Sequence, residues 1–106
     1  MPKYMIAGSY TAEGLKGLLR DGGTGRRAAL EKALVPVNGK IEVFYFAFGE
    51  DDAVLIADLP DNVSAAAVAL ATSGMGFVRT RTTVLLTPEE VDQAAQKSVA
   101  YRPPGV

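Results

Sequence analysis

This chain of 106 residues contains no cysteine and no histidine. Without cysteine there are no disulfides, no thiolate nucleophiles and no thiolate metal sites, and stability does not require an oxidising compartment. Without histidine the commonest metal ligand and the commonest general base near neutral pH are also missing. Catalysis by the chain itself would have to use Asp, Glu, Tyr, Lys or Arg, and no metal or cofactor is expected. A charge excess is lacking too. Eleven Lys and Arg stand against twelve Asp and Glu, a formal net charge of −1, which creates no field to draw a nucleic acid or an anionic membrane surface. Neither is an expected partner. Long apolar runs are likewise missing. The opening MPKYMIAGSYTAEG has no secretory apolar core. The uncharged stretch from Asn62 to Val78 is interrupted by Ser64, Thr72, Ser73, Gly74 and Gly76, short of the roughly 20 apolar residues of a membrane span. The expected location is the cytoplasm.

What the chain does hold fits one domain, long enough to bury roughly 65% of the surface its unfolded form exposes. Residues 1–98 are expected to form that domain, and residues 99–106 an extended tail. The apolar run from Lys3 to Tyr10 predicts a strand. Thr11 then offers an N-cap, and Leu15, Leu18 and Leu19 follow at helical spacing. Asp21-Gly22-Gly23-Thr24-Gly25 interrupts the pattern, which resumes with Leu30, Ala33 and Leu34 until Val35, the residue before Pro36. Unbroken from Ala12 to Val35, such a helix would be about 36 Å long, more than short strands can cover, so the glycines predict a break or kink.

Asn38-Gly39 turns the chain into a hairpin with strands near Ile41 to Phe48 and Ala53 to Leu59. Asp61 or Asn62 can cap the next helix, whose expected buried stripe is Val63, Ala67, Leu70 and Ala71 and which ends at Gly74-Met75-Gly76. A fourth strand is predicted from Phe77 to Leu86. Thr87-Pro88-Glu89-Glu90 is a capping box with proline at the first helical position, so a last helix follows to about Lys97.

The order β-α-β-β-α-β plus a terminal helix predicts an α+β, ferredoxin-like sandwich, with right-handed crossovers placing two helices on one face of a four-stranded antiparallel sheet. The hairpin makes the other face matter. Val43, Tyr45 and Ala47 alternate with Phe44, Phe46 and Phe48, and neither set suits water. Four strands of about six residues present roughly 400 Å². Leaving that area wet forgoes on the order of 10 kcal/mol, comparable with the whole stability of a small domain. The expected cover is a second copy of the chain, giving a homodimer or a larger homo-oligomer joined sheet face to sheet face.

Three stretches, YTAEGLKGLLRDGGTGRRAALEKAL from Tyr10 to Leu34, FYFAFGEDDAVLIADLPDNVSAAAVAL from Phe44 to Leu70 and VRTRTTVLLTPEEVDQA from Val78 to Ala94, resemble the GYD domain family. The resemblance implies a ferredoxin-like fold of the dimeric α/β-barrel type, in a family of small bacterial and archaeal proteins without an established activity. Gly49 and Asp51 match the first and third residues of the naming triplet, and Glu50 stands where Tyr is expected. Structurally similar dimeric barrels include cofactor-independent monooxygenases, small-molecule isomerases and effector-binding modules, so fold alone does not select a function.

Three clusters carry candidate chemistry. Gly49-Glu50-Asp51-Asp52 puts three carboxylates on one turn, able in principle to hold a hard cation. No calcium-loop spacing follows, and a solvated turn is the simpler reading. Gly23, Gly25, Arg26 and Arg27 lie at a helix start as a possible anion cradle; the G-x-G-x-x-A spacing through Ala28 superficially matches a dinucleotide fingerprint, but a helix rather than a strand precedes it. Arg79 and Arg81 share one face of the last strand, and Tyr4 and Tyr10 one face of the first. Should those faces coincide, they would form an apolar pocket with an arginine anchor for a small aromatic or acidic ligand. The plainer alternative is an edge strand protected by charge. Tyr45 and Asp51 are the remaining candidate acid and base. A protein binding a small organic ligand in a sheet-face cavity, a cofactor-independent oxygenase or isomerase, and a structural accessory oligomer are the readings this leaves, the non-enzymatic ones favoured.

Overall fold

A computed structural model describes residues 1–106. Strands β1 (Lys3–Tyr10), β2 (Lys40–Phe46), β3 (Ala53–Asp58) and β4 (Val78–Leu85) alternate with helices α1 (Ala12–Leu34), α2 (Asn62–Ser73) and α3 (Pro88–Ala95). The strands form one antiparallel sheet in the order β2-β3-β1-β4. This is the expected α+β, ferredoxin-like βαββαβ arrangement with an added C-terminal helix.

Local chemistry explains the elements. Thr11 caps α1, its Oγ1 accepting from the Gly14 N–H at 3.2 Å. The expected break falls at Gly22, with φ 75° and ψ 168°, a conformation that glycine alone enters without steric cost. The break lets the second half of α1 lie along the sheet, burying Leu34 and half-burying Leu30, while Leu15 and Leu19 in the first half stay exposed. A single 3-10 turn at Val35–Val37 and Asn38 in the left-handed region, φ 56°, lead into β2. A register shift between Ile41 and Val43 inserts Glu42 as an extra residue, so Ile41 and Phe44 both reach the helix side.

Asp61, rather than Asn62, caps α2: its Oδ1 accepts from the Ser64 N–H at 2.8 Å. Asn62 instead accepts at Oδ1 from the Tyr4 hydroxyl at 2.7 Å, tying α2 to the central strand. The buried stripe of α2 differs from the one expected. Ala65 is buried and Val68, Ala69 and Thr72 half-buried, whereas Val63 is 79% and Leu70 76% exposed. In an alanine-rich helix nearly every face is apolar, so composition does not choose the buried one.

The core joins Tyr4, Ile6, Ile41, Leu55 and Ala57 of the sheet to Leu34, Leu59 and Ala65. Both main helices therefore cover the same face. The capping box of α3 is complete, with Thr87 Oγ1 accepting from the Glu90 N–H at 3.1 Å and Glu90 Oε1 from the Thr87 N–H at 2.9 Å. Yet every residue from Leu86 to Val106 is exposed, so α3 and the tail stand off the sheet as an arm. The radius of gyration is 16.8 Å, against about 13 Å for a compact chain of this length.

The hydrogen bond from Ser64 holds the Asp61 carboxyl below its ordinary value of 3.8. A depressed folded-state pKa stabilises above the unfolded value, and that stabilisation is lost as pH falls through the folded one. Acid urea titrations should show it leaving in that window, and Asp61→Asn, which caps without charge, should remove this part of the pH dependence.

Candidate functional site

Pleating sorts β1 into two sets. Tyr4, Ile6, Gly8 and Tyr10 face the helices, and Lys3, Met5, Ala7 and Ser9 face the open side. β4 pairs Tyr10 with Val78, Ser9 with Arg79 and Ala7 with Arg81, so Arg79 and Arg81 belong to the open side with Thr83 and Leu85. The faces do not coincide: Tyr4 and Tyr10 lie on one side of the sheet and the two arginines on the other. Tyr4 is fully buried core. β4 is an edge strand carrying exposed arginines, as the plainer alternative has it.

The open face is apolar at its centre, with Met5, Ala7, Val43, Tyr45, Val54 and Ile56, and charged at both ends. At one end Lys3 Nζ donates to Asp58 at 2.8 Å and to Glu42 at 2.6 Å, and these bonds, Asp58's first, raise the Lys3 pKa above 10.5. At the other end lies the turn containing Gly49, Glu50 and Asp51. Asp51 accepts from Arg81 at Oδ2 and from the Ser9 hydroxyl at Oδ1, the latter at 3.3 Å. Asp52 Oδ2 accepts from the Tyr10 N–H at 2.8 Å, and its own N–H donates to the Gly8 carbonyl at 2.8 Å. Asp52 thus bonds the backbone of β1 alone, while Asp51 bridges side chains of β1 and β4, and together they fasten the turn to both strands. Glu50 is exposed, and no hydrogen bond joins Tyr45 to Asp51.

On the helix side the glycine-rich break separates its two arginines. Arg27 stays outside, its Nε 3.3 Å from Glu31. Gly23 lies under the Phe46 ring, which stacks edge-on against Phe44 at 5.1 Å. Gly25 sits where an added Cβ would touch Asp21. Arg26 turns inward, half-buried, with Asp21 at 3.7 Å as its nearest carboxylate. It lines a cleft of about 460 Å³ between α1 and α2 whose walls include Leu18, Ala29, Leu30, Met75, Phe77 and Val78. Beneath it a cavity of about 70 Å³ reaches the sheet, and Tyr10, Arg26, Leu30, Thr72 and Val78 line both. A second concavity, about 530 Å³ between Lys3 and Glu90, is the open angle where α3 leaves the sheet.

The cleft joins Tyr10 to Arg26, each marked by pattern but for different sites, and adds Arg20 and Thr72, which nothing local singles out. The floor beneath them is made of small residues, Gly8 pairing with Ala53 on one side and Thr80 on the other.

The GYD domain family model matches residues 4–95, from β1 to the end of α3, and the chain belongs to this family. Comparison with curated proteins and with solved structures finds no match. No helix is long and apolar enough to cross a membrane.

Asp52→Ala strips the Tyr10 N–H of its acceptor and should cost about 1–2 kcal/mol in urea unfolding, with faster exchange of the Tyr10 amide. Asp51→Ala, which loses an ion pair to an exposed arginine, should cost about 0.5 kcal/mol. Equal midpoints for the two variants would contradict the division of labour between these aspartates.

Proposed function

We propose that the protein is a cytoplasmic homodimer that binds a small organic ligand on the helix side of its sheet, two copies being joined across the open side. The observation carrying this reading is the uncovered apolar face between charged ends. The single chain exposes 7627 Å², whereas a compact chain of 11.1 kDa exposes about 5,700 Å². Part of that excess belongs to the arm of α3 and the tail, exposed throughout from Leu86 to Val106, and part to the open face, where Tyr45 is 70% exposed.

The two ends of that face each mix both signs: Lys3 and Lys40 stand with Glu42 and Asp58 at one, and Arg79 and Arg81 with Glu50 and Asp51 at the other, so the apolar centre rather than a net charge would drive the pairing.

A binding role suits the helix side better than catalysis. The carboxylates around the cleft, Glu13 and Asp21, are exposed and sit beside Lys16 and Arg26 at 3.7 Å each, and neither is within hydrogen-bond reach of a second acid or base with which it could act as a pair.

Sedimentation at micromolar concentration should give twice the chain mass. Ile56→Glu, on the open face, should give monomers, and Val63→Glu, exposed on α2, should leave dimers. A wild-type monomer would remove the dimer from this reading.

A further inference from the structure

We infer that the cleft between α1 and α2 binds a small organic carboxylate, held by the Arg26 guanidinium at the throat and extending its apolar body towards the floor at Gly8. The inference rests on the ligand-binding part of the proposed function and is independent of the dimer.

Size comes first. A volume of about 460 Å³ lies within the roughly 300–1,000 Å³ of small-molecule sites. The walls are mostly hydrophobic, and the inner cavity is more so, with Ile6, Leu34, Phe44 and Leu55 around it. That lining asks for an apolar body. The inner space exists because the floor is made of small residues: Ala53, Gly8 and Thr80 lie side by side across three strands. A Cβ on Gly8 would come within 3.1 Å of Val78 Cγ2, closing the floor.

Charge comes second. Arg26 makes no hydrogen bond within the chain, and its one carboxylate neighbour, Asp21, is at 3.7 Å, too far for a hydrogen bond. Five N–H donors at the throat are therefore uncommitted, in the fork geometry that fits a carboxylate bidentately. Tyr10 lines the same cleft, and its hydroxyl has no partner within the chain and is free to donate. Arg20, on the rim, has no carboxylate within 4.0 Å. Of the charged residues lining the cleft, Glu13, Arg20 and Asp21 are exposed and Arg26 alone is half-buried, so the charge nearest the apolar walls is positive. A phosphate dianion would bring a second negative charge towards Glu13 and Asp21, and it has no apolar part to fill the walls. One negative charge on an apolar body fits both halves of the site.

Calorimetric titration of the wild-type protein with benzoate, phenylacetate and hexanoate, each beside its neutral amide, and with inorganic phosphate tests this. The acids should bind at least about tenfold more tightly than the amides, and phosphate should bind more weakly than any acid. Arg26→Gln should cost the acids at least about tenfold and leave the amides unchanged, while Arg27→Gln, on the outer face, should alter neither. Benzoate titrated into labelled wild-type protein should shift the Tyr10 and Thr72 resonances, a readout that needs no variant. Acids and amides of equal affinity, phosphate binding as tightly as the acids, or shifts confined to the open face would overturn the carboxylate site and leave a ligand-binding protein of another specificity. If no organic probe binds at millimolar concentration, the carboxylate site and the ligand-binding function fall together.

Discussion

A four-stranded sheet with two helices can cover only one of its faces, and the consequences of that constraint run through the whole molecule. Helices α1 and α2 both return to the side of Tyr4, Ile6 and Leu55, and the core they build is small, a cluster of eight buried residues. The opposite side keeps Met5, Ala7, Val54 and Ile56 without any helix above them, and α3 does not cross it but stands away as an exposed arm. Burying such a face offsets a large share of the entropy lost in ordering the chain. The charged groups lie at its two ends, Lys3 with its acids and Asp51 with Arg81, and leave the apolar centre free to pack.

The covered side carries a second consequence, from backbone geometry rather than from hydrophobicity. A straight α1 would have overrun the sheet. The positive φ at Gly22 bends it, seats Leu30 and Leu34 on the core and swings Arg26 in over a floor kept low by Gly8 and Ala53. One break thus shapes both the packing and the cleft. The family turn plays its part on the far side: Asp51 bridges Ser9 of β1 and Arg81 of β4 while Asp52 holds the backbone of β1, which gives the aspartate of the motif a structural reason to be there whatever stands at position 50.

The parts of the fold legible in sequence are those set by local signals. Thr11 and Thr87 cap their helices through their own hydroxyls, Asn38-Gly39 turns the chain, and Gly22 breaks α1, each readable within a few residues. Register between strands is a different kind of fact. Tyr10 and Arg79 each sit clearly on one face of a strand, but which faces agree depends on Tyr10 pairing with Val78 rather than with Arg79, and one residue of slip reverses the answer. The Arg81–Asp51 pair joins groups 30 residues apart for the same non-local reason. In α2 the alanines supply no contrast between faces, so the exposure of Val63 and Leu70 follows from packing alone. The cleft was marked in sequence only by its pieces, Tyr10 and Arg26, which come together through a kink and a crossover.

The proposal that the open face of the sheet is shared between two copies is tested most directly by hydroxyl-radical footprinting of the unmodified protein. In the single chain Tyr45, on the open face, and Tyr101, in the arm, are 70% and 71% exposed, so bare chains would oxidise both at similar rates. With the open face buried between two copies, Tyr45 should be oxidised several-fold more slowly than Tyr101 at high protein concentration, and the protection should disappear on dilution. Equal oxidation of the two tyrosines at every concentration would contradict it.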